Sequence, residues 1–399
     1  MKNKLFNYIL LVFISVGFVA CEDYVDYEAS EGYTIVASDY FKKASDYEAA
    51  LVGTYDPLQW NIYTVMIGDM ASGNSYCGGE SATDVIGLQK IDDMIHTPVN
   101  DQLESTWKWM YEGINRANYL VENKDKVDFT RKAELYGEVH FLRAYYYFEL
   151  VKWFGDVPLV VDERILFGDQ FNVDRTPKAQ VYAQIEEDLE FAAANLPASQ
   201  AEIGRVTKGA AQALLGKVLL YQDKFSESAN VLEAVINTGP YSLITDYSTM
   251  FENDNENNAE SVFEVQYTDL EGAGFGCLQC SEGNVAVGFS GVRNYEGPDF
   301  TSGFSFNVPV QEAYEAFDSD DPRRDIAILN IDAWATATGA TFGTGFEHTG
   351  YFNKKYIPRT RSDQALADLN LTNPNNYRSV RYADVLLMAA EANNRGGID

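Results

Sequence analysis

Histidine is nearly absent from this sequence, and basic residues are only half as frequent as acidic ones. The three histidines, His96, His140 and His348, stand in unrelated contexts, and no Gly-x-Ser-x-Gly nucleophile motif accompanies them. Thirty Lys and Arg residues against 60 Asp and Glu give a net charge of −30. Because such a surface repels phosphate backbones, the composition argues against nucleic-acid binding. The Gly-rich segments also lack the lysine of a phosphate-binding loop, and nothing in the sequence calls for a cofactor.

Cysteine is scarce as well, and the first of the four has a distinctive position. Lys2 and Lys4 precede a short apolar run that ends in Phe18-Val19-Ala20-Cys21, so residues 1–20 are predicted to be a secretory signal peptide. A cysteine directly after a small residue resembles a bacterial lipoprotein signal, in which Cys21 would carry the lipid anchor. An ordinary signal peptide with a coincidental cysteine is the alternative. Residues 21–38 then form an acidic tether, and acidic residues after the anchor resemble a signal for display on the outer cell surface.

The other cysteines are Cys77, Cys277 and Cys280. The pair 277–280 has the spacing of a thioredoxin motif, but it lies in a Gly-rich segment without the helix pattern that lowers a thiol pKa. Two cysteines without nearby histidines cannot complete a zinc site. In an oxidising compartment a local disulfide between Cys277 and Cys280 is the favoured interpretation, and free thiols are the alternative. The sequence leaves the state of Cys77 open.

Helical periodicity dominates the chain up to about residue 240. Apolar residues repeat at steps of three and four, and Pro or Gly follows several of the segments. Thr176 is predicted to cap the helix that begins at Pro177. The predicted helices cover 39–58, 101–123, 131–154, 177–196, 207–222 and 225–238. Long helices joined by short turns predict tetratricopeptide-like stacking.

The later part of the chain is less regular. Residues 260–268, 325–331 and 351–358 are predicted to be strands, and 271–307 and 332–350 to be irregular. Helical patterns return at 307–317 and 380–394, and the chain ends soon afterwards without a further helix to cover the last apolar face. The expected fold is therefore mostly α, with short strands in a loop-rich part.

The aromatic stretch RAYYYFELVKWFGDVPLV, residues 143–160, could be either a ligand platform or a packing surface. Projected on a helix, Glu138, Glu149 and Lys152 share one narrow stripe, and apolar side chains fill most of the remaining circumference. Such a helix is surrounded by protein, so packing is the better interpretation. Arg143 lies among the apolar residues and is expected to bond to buried carbonyls or a carboxylate.

These segments together resemble the SusD/RagB family of outer-membrane nutrient-binding lipoproteins. The resemblance spans nearly all of the chain after the signal peptide, in the order of the family's motifs. It rests on WKWMYEGINRANYLV (107–121), GEVHFLRAYYYFELVKWFGDVPLV (137–160), the helix pair 207–243, ESVFEVQY (260–267), FNVPVQEAYEAFDSDDPRRD (306–325), KKYIPR (354–359) and VRYADVLLMAAEANN (380–394). Members of the family typically continue well past the last of these motifs, so the chain looks truncated at its C-terminus.

The resemblance implies one SusD-like domain over residues 39–399. Helical repeats would occupy mainly 39–240 and 380–395, and the ligand-binding, loop-rich part about 241–379. It implies a lipid-anchored protein of the outer membrane, facing the cell exterior, that captures oligosaccharides for a SusC-like TonB-dependent transporter. A peptide- or protein-binding scaffold of the same family is the alternative.

A glycan-active enzyme is a further alternative, because the chain is rich in carboxylates. No pair of carboxylates stands out, however. The acidic segment 252–260 lacks the central Gly and the terminal Glu of a calcium-binding EF-hand loop, so no metal site is predicted there. The sequence therefore favours a binding protein without catalytic activity.

Sugars are bound by aromatic rings with nearby polar side chains, and loops are the usual place for both. Two segments offer this mixture, residues 68–84 and 288–304. Two tryptophans near turns, in positions 60 and 334, are added to them. The candidate ligand-binding residues are Trp60, Asp69, Asn74, Tyr76, Arg293, Asn294, Tyr295, Phe300 and Trp334.

Overall fold

The computed structural model describes residues 40–60, 63–166, 168, 173–272, 274–362 and 366–398. The predicted signal peptide, Cys21 and the acidic tether lie outside these residues. Within them the fold is mostly α-helical, as the sequence predicts, and the strands are few and short.

The described residues of the first part form eight helices, and six of them begin and end close to where the sequence pattern places them. The helices over residues 64–71 and 86–92 are not predicted, and the first of them contains the start of segment 68–84, which the sequence predicts to be a loop. The eight helices are α1 Ala44–Tyr55, α2 Thr64–Ala71, α3 Ile86–Asp92, α4 Asp101–Glu122, α5 Lys132–Phe154, α6 Lys178–Asn195, α7 Lys208–Leu220 and α8 Phe225–Thr238. A 3-10 turn over Asp56–Leu58 follows α1. From α4 to α8, each helix packs against the next one along the chain. This succession is the tetratricopeptide-like stack that the helical pairs predict.

The predicted cap of α6 is wrong. Thr176 is an isolated bridge residue that pairs with Val157, and its side chain caps nothing. Instead, Oδ1 of Asp156 accepts the backbone N–H of Lys178 at 2.8 Å. The acceptor therefore comes from the turn that ends the preceding helix, a long-range contact that local sequence pattern does not reveal.

Helix α5 is the centre of the helical stack. Every residue from Leu135 to Val151 is buried except His140, which confirms the packing interpretation of the aromatic run. Arg143 bonds to both carboxylate oxygens of Asp188, at 2.8 and 2.6 Å, and to the side-chain oxygen of Asn118. The polar stripe is covered too, because Arg131 and Arg205 both reach Glu138.

The described residues also contain six short strands and five further helices, all of them in the later part except the first strand. They are β1 Ser75–Cys77, β2 Ser261–Val265, α9 Val285–Ser290, β3 Asn307–Pro309, α10 Gln311–Glu315, α11 Arg324–Ala327, β4 Ile328–Asn330, α12 Ile331–Thr338, β5 Tyr351–Asn353, β6 Tyr377–Arg381 and α13 Tyr382–Gly396. The strands pair antiparallel as β1–β3, β2–β6 and β4–β5.

Several predictions for this part are wrong. The segment 271–307, predicted to be irregular, contains α9, the predicted helix 307–317 begins with β3, and the predicted strand 351–358 ends at Asn353. The predicted strand 325–331 consists of α11, the three-residue β4 and the first residue of α12, and the segment 332–350 is not all loop because α12 runs to Thr338. Trp334 therefore lies on a helix. Asn330 caps this helix by accepting the N–H of Ala333 at 3.0 Å, and Gly339 ends it in the left-handed conformation.

The apolar side chains form one large core and two smaller ones. The large core joins α1 and α4–α8 to the β2–β6 pair and α13. The second contains Met66 and Met70 of α2, Leu88 of α3 and Phe289 and Phe306 from the irregular part. The third surrounds Phe352 of β5 and includes Leu329 and Ile331. The segments predicted to bind ligand lie on the two smaller cores.

Helix α13 packs on α8 through Val385, Met388, Ala389 and Ala392. Its opposite side carries Leu387, which is 71% exposed. The apolar face itself is covered by α8, so the expectation that no helix covers it is wrong. None of the helices formed by the described residues is long and apolar enough to cross a membrane.

Candidate ligand-binding site

The two predicted loop segments meet in the folded protein. Strand β1 pairs with β3, and this pairing continues into the loops because Gly78 and Gly79 donate to the carbonyls of Phe306 and Ser305, at 3.0 and 2.8 Å. No side chain can replace the hydrogen of Gly78, since its Cβ would lie 2.1 Å from the Ser305 carbonyl oxygen. Close backbone contact thus holds segment 68–84 beside segment 288–304.

Arg293 lies at this junction. Its Nη2 donates to the carbonyl oxygen of Phe304 at 3.0 Å and lies 4.0 Å from a carboxylate oxygen of Asp84. Its Nε–H is buried and finds no hydrogen-bond acceptor among the described residues. The neighbouring Asn294 is exposed, in a left-handed backbone conformation with φ 50°. Arg293, Asn294 and Asp84 therefore present polar groups of both charges at one place on the surface.

A third segment, residues 342–346, completes this junction. Gly343 donates to the carbonyl of Arg293 at 2.8 Å, and Phe346 donates to the carbonyl of Gly79 at 2.9 Å. The sequence predicts a loop here, but it gives no reason to choose this loop over others as part of the site.

Phe275 was not among the sequence candidates, although it is the most exposed aromatic side chain of the described residues, at 61%. Its ring meets the ring of Phe304 edge to face, with 5.5 Å between the centroids. Two residues later comes the Cys277–Cys280 pair, whose sulfur atoms are joined as a disulfide. A phenylalanine in a Gly-rich segment beside two cysteines is the sequence signal that could have identified it.

Three of the candidate aromatic residues belong to the third core rather than to an open surface. Tyr295 and Phe300 are only 5% and 7% exposed, and Trp334 is half-buried against Phe300 at 5.3 Å. Trp334 Nε1 donates to the Tyr295 hydroxyl, which itself donates to the carbonyl of Pro298. These contacts give the three side chains a structural role, and only Trp334 keeps an accessible face.

Asp69 is also a structural residue in this geometry. One of its carboxylate oxygens accepts the side-chain amides of Asn307 and Asn353, at 2.8 and 3.0 Å. Burial raises the pKa of Asp69, and the two amides and the charge of Lys355 oppose that effect. The carboxylate thus joins α2 to β3 and β5 beneath the surface.

The remaining candidates lie apart from Arg293 or at the edge of its surface. Tyr76 is 44% exposed on β1, and Asn74 is exposed just before that strand. Trp60 is buried, and the guanidinium of Arg116 covers its ring at 4.8 Å. Tyr76 and Asn74 therefore stay accessible to a ligand, whereas Trp60 does not.

The acidic segment 252–260 uses its carboxylates in contacts with the protein itself. Glu252 pairs with Arg359, Glu260 pairs with Arg381, and Glu256 accepts the backbone N–H of Asn376. In the described part of the chain, no group of three or more His, Cys, Asp or Glu side chains is arranged to hold a metal ion.

The described residues thus combine a stack of helical repeats with a loop-built surface that carries an exposed aromatic ring and polar groups of both charges. Two family models match the chain, one described as starch-binding and associating with the outer membrane over residues 50–220, and one as the SusD family over residues 246–397. The chain belongs to the SusD/RagB family, as the sequence motifs predict.

Similar proteins support this assignment along the whole length. A SusD-like protein P2 of Formosa agariphila is 26% identical and is matched over 99% of this chain and 78% of its own. A laminarin-binding SusD-like protein has 34% identity and a TM-score of 0.80, over 88% of this chain and 80% of its own. Surface glycan-binding protein A from Bacteroides thetaiotaomicron, in complex with laminarihexaose, has 26% identity and a TM-score of 0.79, over 88% and 79%.

Proposed function

We propose that the protein captures a neutral oligosaccharide at the surface formed by Phe275, Arg293, Asn294 and Asp84, without cleaving it. The observation that carries this proposal is the convergence of an exposed aromatic ring with both polar segments. The ring offers an apolar face to a pyranose, and the guanidinium, amide and carboxylate offer hydrogen bonds to its hydroxyls. Laminarin is the first glycan to test, because similar structures are described as binding laminarin or laminarihexaose.

Capture rather than hydrolysis is supported by the surroundings of Asp84. Hydrolysis of a glycosidic bond normally uses two carboxyl groups that face each other across the bond. Asp84 instead faces Arg293 and accepts the backbone N–H of Glu80 at 2.9 Å. A carboxylate held in this way is suited to orient a sugar hydroxyl.

The same proposal includes an anchor and a partner. Lipid attached to Cys21 would hold the protein on the outer membrane, facing the cell exterior, and a SusC-like TonB-dependent transporter would receive the oligosaccharide. The motif that ends in Cys21 and the family membership support this arrangement. Co-purification of such a transporter with the membrane-bound protein, and its loss with Cys21→Ser, are the expected results.

Affinity electrophoresis in gels that contain laminarin or other glycans tests the binding. Retardation by laminarin without release of reducing sugar is expected. Phe275→Ala and Arg293→Ala should each weaken binding about tenfold or more, which corresponds to the loss of one stacking or charge-assisted contact. Phe191→Ala and Arg395→Ala make the same changes on the helical stack, at α6 and α13, and should bind as wild type does.

Other results would contradict the proposal in different ways. Product release would make the protein an enzyme. An absence of retardation in every glycan, together with binding of a peptide library, would favour the peptide-binding alternative. Wild-type affinity in both Phe275→Ala and Arg293→Ala would place the site elsewhere.

A further inference from the structure

A cleft separate from the candidate glycan surface lies where the helical stack meets the irregular part. It has a volume of about 510 Å³, which is within the usual range of small-molecule sites. The end of α1, the turn 202–205, the end of β2 and Glu282 enclose it. Among these residues are none of the candidate glycan-binding side chains.

Part of the wall of the cleft is aliphatic. Val52, Leu58, Ile203 and Val265 line it. Val52 and Ile203 are 58% and 77% exposed, so the apolar surface continues to the mouth. Among the described residues that line the cleft, the only aromatic ring belongs to Tyr55, and it is not free to stack on a sugar. Its hydroxyl donates to Glu138 at 2.6 Å, and the guanidinium of Arg205 lies 5.9 Å from its centroid. A chain of methylene groups suits these walls better than a pyranose ring does.

The charge of the cleft is negative. Of the described residues in its lining, four are carboxylates and one, Arg205, is a guanidinium; the carboxylates are Asp56, Glu202, Glu264 and Glu282. Arg205 is shared among Glu48, Glu138 and Glu202. Asp56 has its own partner in Arg116 at 2.6 Å, and Arg116 also bonds to Glu112.

Glu282 is the carboxylate without a cationic partner among the described residues. It lines the cleft together with Asp56 and Gln59. Burial raises the pKa of Glu282, and the charge of Asp56 raises it further. Because Asp56 already pairs with Arg116, Glu282 is the carboxylate that a positive group in the cleft would neutralise.

The shape of the cleft is fixed by close contacts. Gln59 donates to the backbone carbonyl of Gln266 at 2.9 Å, which joins the end of α1 to the end of β2. Gly204 has φ 89°, and a Cβ there would lie 2.5 Å from Cγ of Gln266, so the turn 202–205 presses directly on that side chain. The space therefore exists before any ligand enters it.

We propose that this cleft binds a primary ammonium group carried on an aliphatic chain, with the ammonium beside Glu282 and the methylene groups against Val52, Leu58 and Ile203. An organic cation is favoured over a metal ion, because the carboxylates in the described residues form no group arranged for metal coordination. The net charge of −30 attracts such a ligand from solution. A free diamine and a lysine side chain share this chemistry.

Calorimetric titration of the full chain with cadaverine, with Nα-acetyl-lysinamide and with 1-pentanol tests the proposal. Both amines should bind, and the alcohol, which has the same chain without the charge, should not. Tighter binding of cadaverine identifies a free diamine as the natural source, and tighter binding of the capped lysine identifies a protein side chain. Failure of both amines to bind would overturn the proposal.

Two variants locate the binding. Glu282→Gln should weaken amine binding about tenfold, while Glu190→Gln, the same change at an exposed position of α6, should have no effect. Ile203→Lys places an ammonium of the protein itself at the mouth of the cleft, so it should also weaken amine binding. Residue 203 is exposed enough for the fold to tolerate this change. Wild-type amine affinity in both Glu282→Gln and Ile203→Lys would overturn the assignment. Laminarin binding should be unchanged in either variant, so the result is independent of the proposed glycan site.

Discussion

Single side chains in this protein show how far a local pattern determines the role of a residue. The tyrosines of α5 could be assigned to packing because apolar residues surround most of that helix. Tyr146 is fully buried, its hydroxyl donates to the carbonyl of Thr54 at 2.6 Å, and a Cβ on Gly113 would lie 2.4 Å from its ring. The ring therefore packs directly on the backbone of α4.

We expect Tyr146→Ala to lower the free energy of unfolding by about 3–5 kcal/mol, because it leaves a large cavity in the core. Tyr146→Phe should cost only about 1 kcal/mol, for the lost hydrogen bond. Urea unfolding measures both, with Tyr221→Ala, at a 55% exposed position, as the control. The folded Tyr146→Ala protein should keep its glycan affinity. Weaker binding at unchanged stability would show that the packing role is wrong.

Glu256 gives a residue-scale prediction about pH. Burial raises its pKa to about 7, against the opposing effects of the Asn376 backbone N–H and the charge of Arg378. The folded protein thus holds this proton more tightly than the unfolded chain does. The resulting stabilisation is complete below the unfolded pKa of about 4.5 and is lost as the pH rises through about 7.

Glu256→Gln keeps an oxygen that can accept the Asn376 N–H but stays neutral. We expect the free energy of unfolding of the variant to exceed that of wild type by about 1–2 kcal/mol at about pH 8, after allowance for solvent screening. At about pH 4 the two free energies should differ little. Thermal unfolding across this pH range measures the difference. Asp254→Asn removes a charge at an exposed position two residues away, and it should leave the pH dependence of thermal unfolding the same as in wild type. An equal effect of Glu256→Gln at both pH values would contradict the prediction.

Single side chains also show why the ligand-binding residues were harder to predict than the packing residues. Tyr295 and Phe300 stand in a Gly-rich segment that looks like an open loop, yet Trp334 and Ile357, far along the chain, help to bury them. Arg293 and Asn294 come from the same segment and remain at the surface. Whether a side chain in irregular structure is covered depends on distant segments, and the local pattern carries no information about those.

At the scale of elements, the long helices were predictable because their signals are local. Helix α8 begins at Phe225 and ends at Thr238 as predicted, with Asp223 in a left-handed turn before it and Gly239 after it. Strand β2 pairs with β6, more than one hundred residues later, so its partner could not be read from the sequence. The shorter helices α2, α3, α9 and α12 were missed, although α12 did carry a signal, in Asn330 before it and Gly339 after it.

The distance between α7 and α8 depends on a glycine. A Cβ at Gly216 would lie 2.4 Å from Cδ2 of the buried Leu232. Gly216→Ala should therefore force the helices apart and cost about 1–3 kcal/mol in urea unfolding.

Gly53 is the matched control for that change. It lies inside α1, and nothing is within 4 Å of a Cβ at this position. Gly53→Ala should stabilise the protein by about 0.5–1 kcal/mol, since alanine loses less backbone entropy in a helix. If both substitutions stabilise the protein, the close approach of α7 and α8 does not limit the size of residue 216.

At the scale of the whole molecule, the helical stack and the irregular part form one structure through a few long-range connections. The β2–β6 pair packs into the large core, and Asp69 joins the two smaller cores by bonding to Asn307 and Asn353. The proposed glycan surface is therefore held by rigid neighbours on several sides. Such a surface should bind a sugar without a large change in shape.

The net charge of −30 leads to a prediction about which glycans bind. The exposed acids Glu80 and Glu296 lie in the segments that meet at Arg293, and Glu347 directly follows the third of these segments. A sulfated or uronate-containing oligosaccharide has to approach this surface against a negative potential, whereas a neutral one does not.

At low salt we expect the neutral oligosaccharide to bind more tightly than a sulfated oligosaccharide of the same backbone. Raising the NaCl concentration from about 20 mM to about 500 mM should narrow that difference by screening and should change the neutral affinity less than about twofold. Calorimetry at both salt concentrations measures the two affinities. Tighter binding of the sulfated form at low salt would mean that Arg293 dominates the local field and that the natural ligand is an acidic glycan.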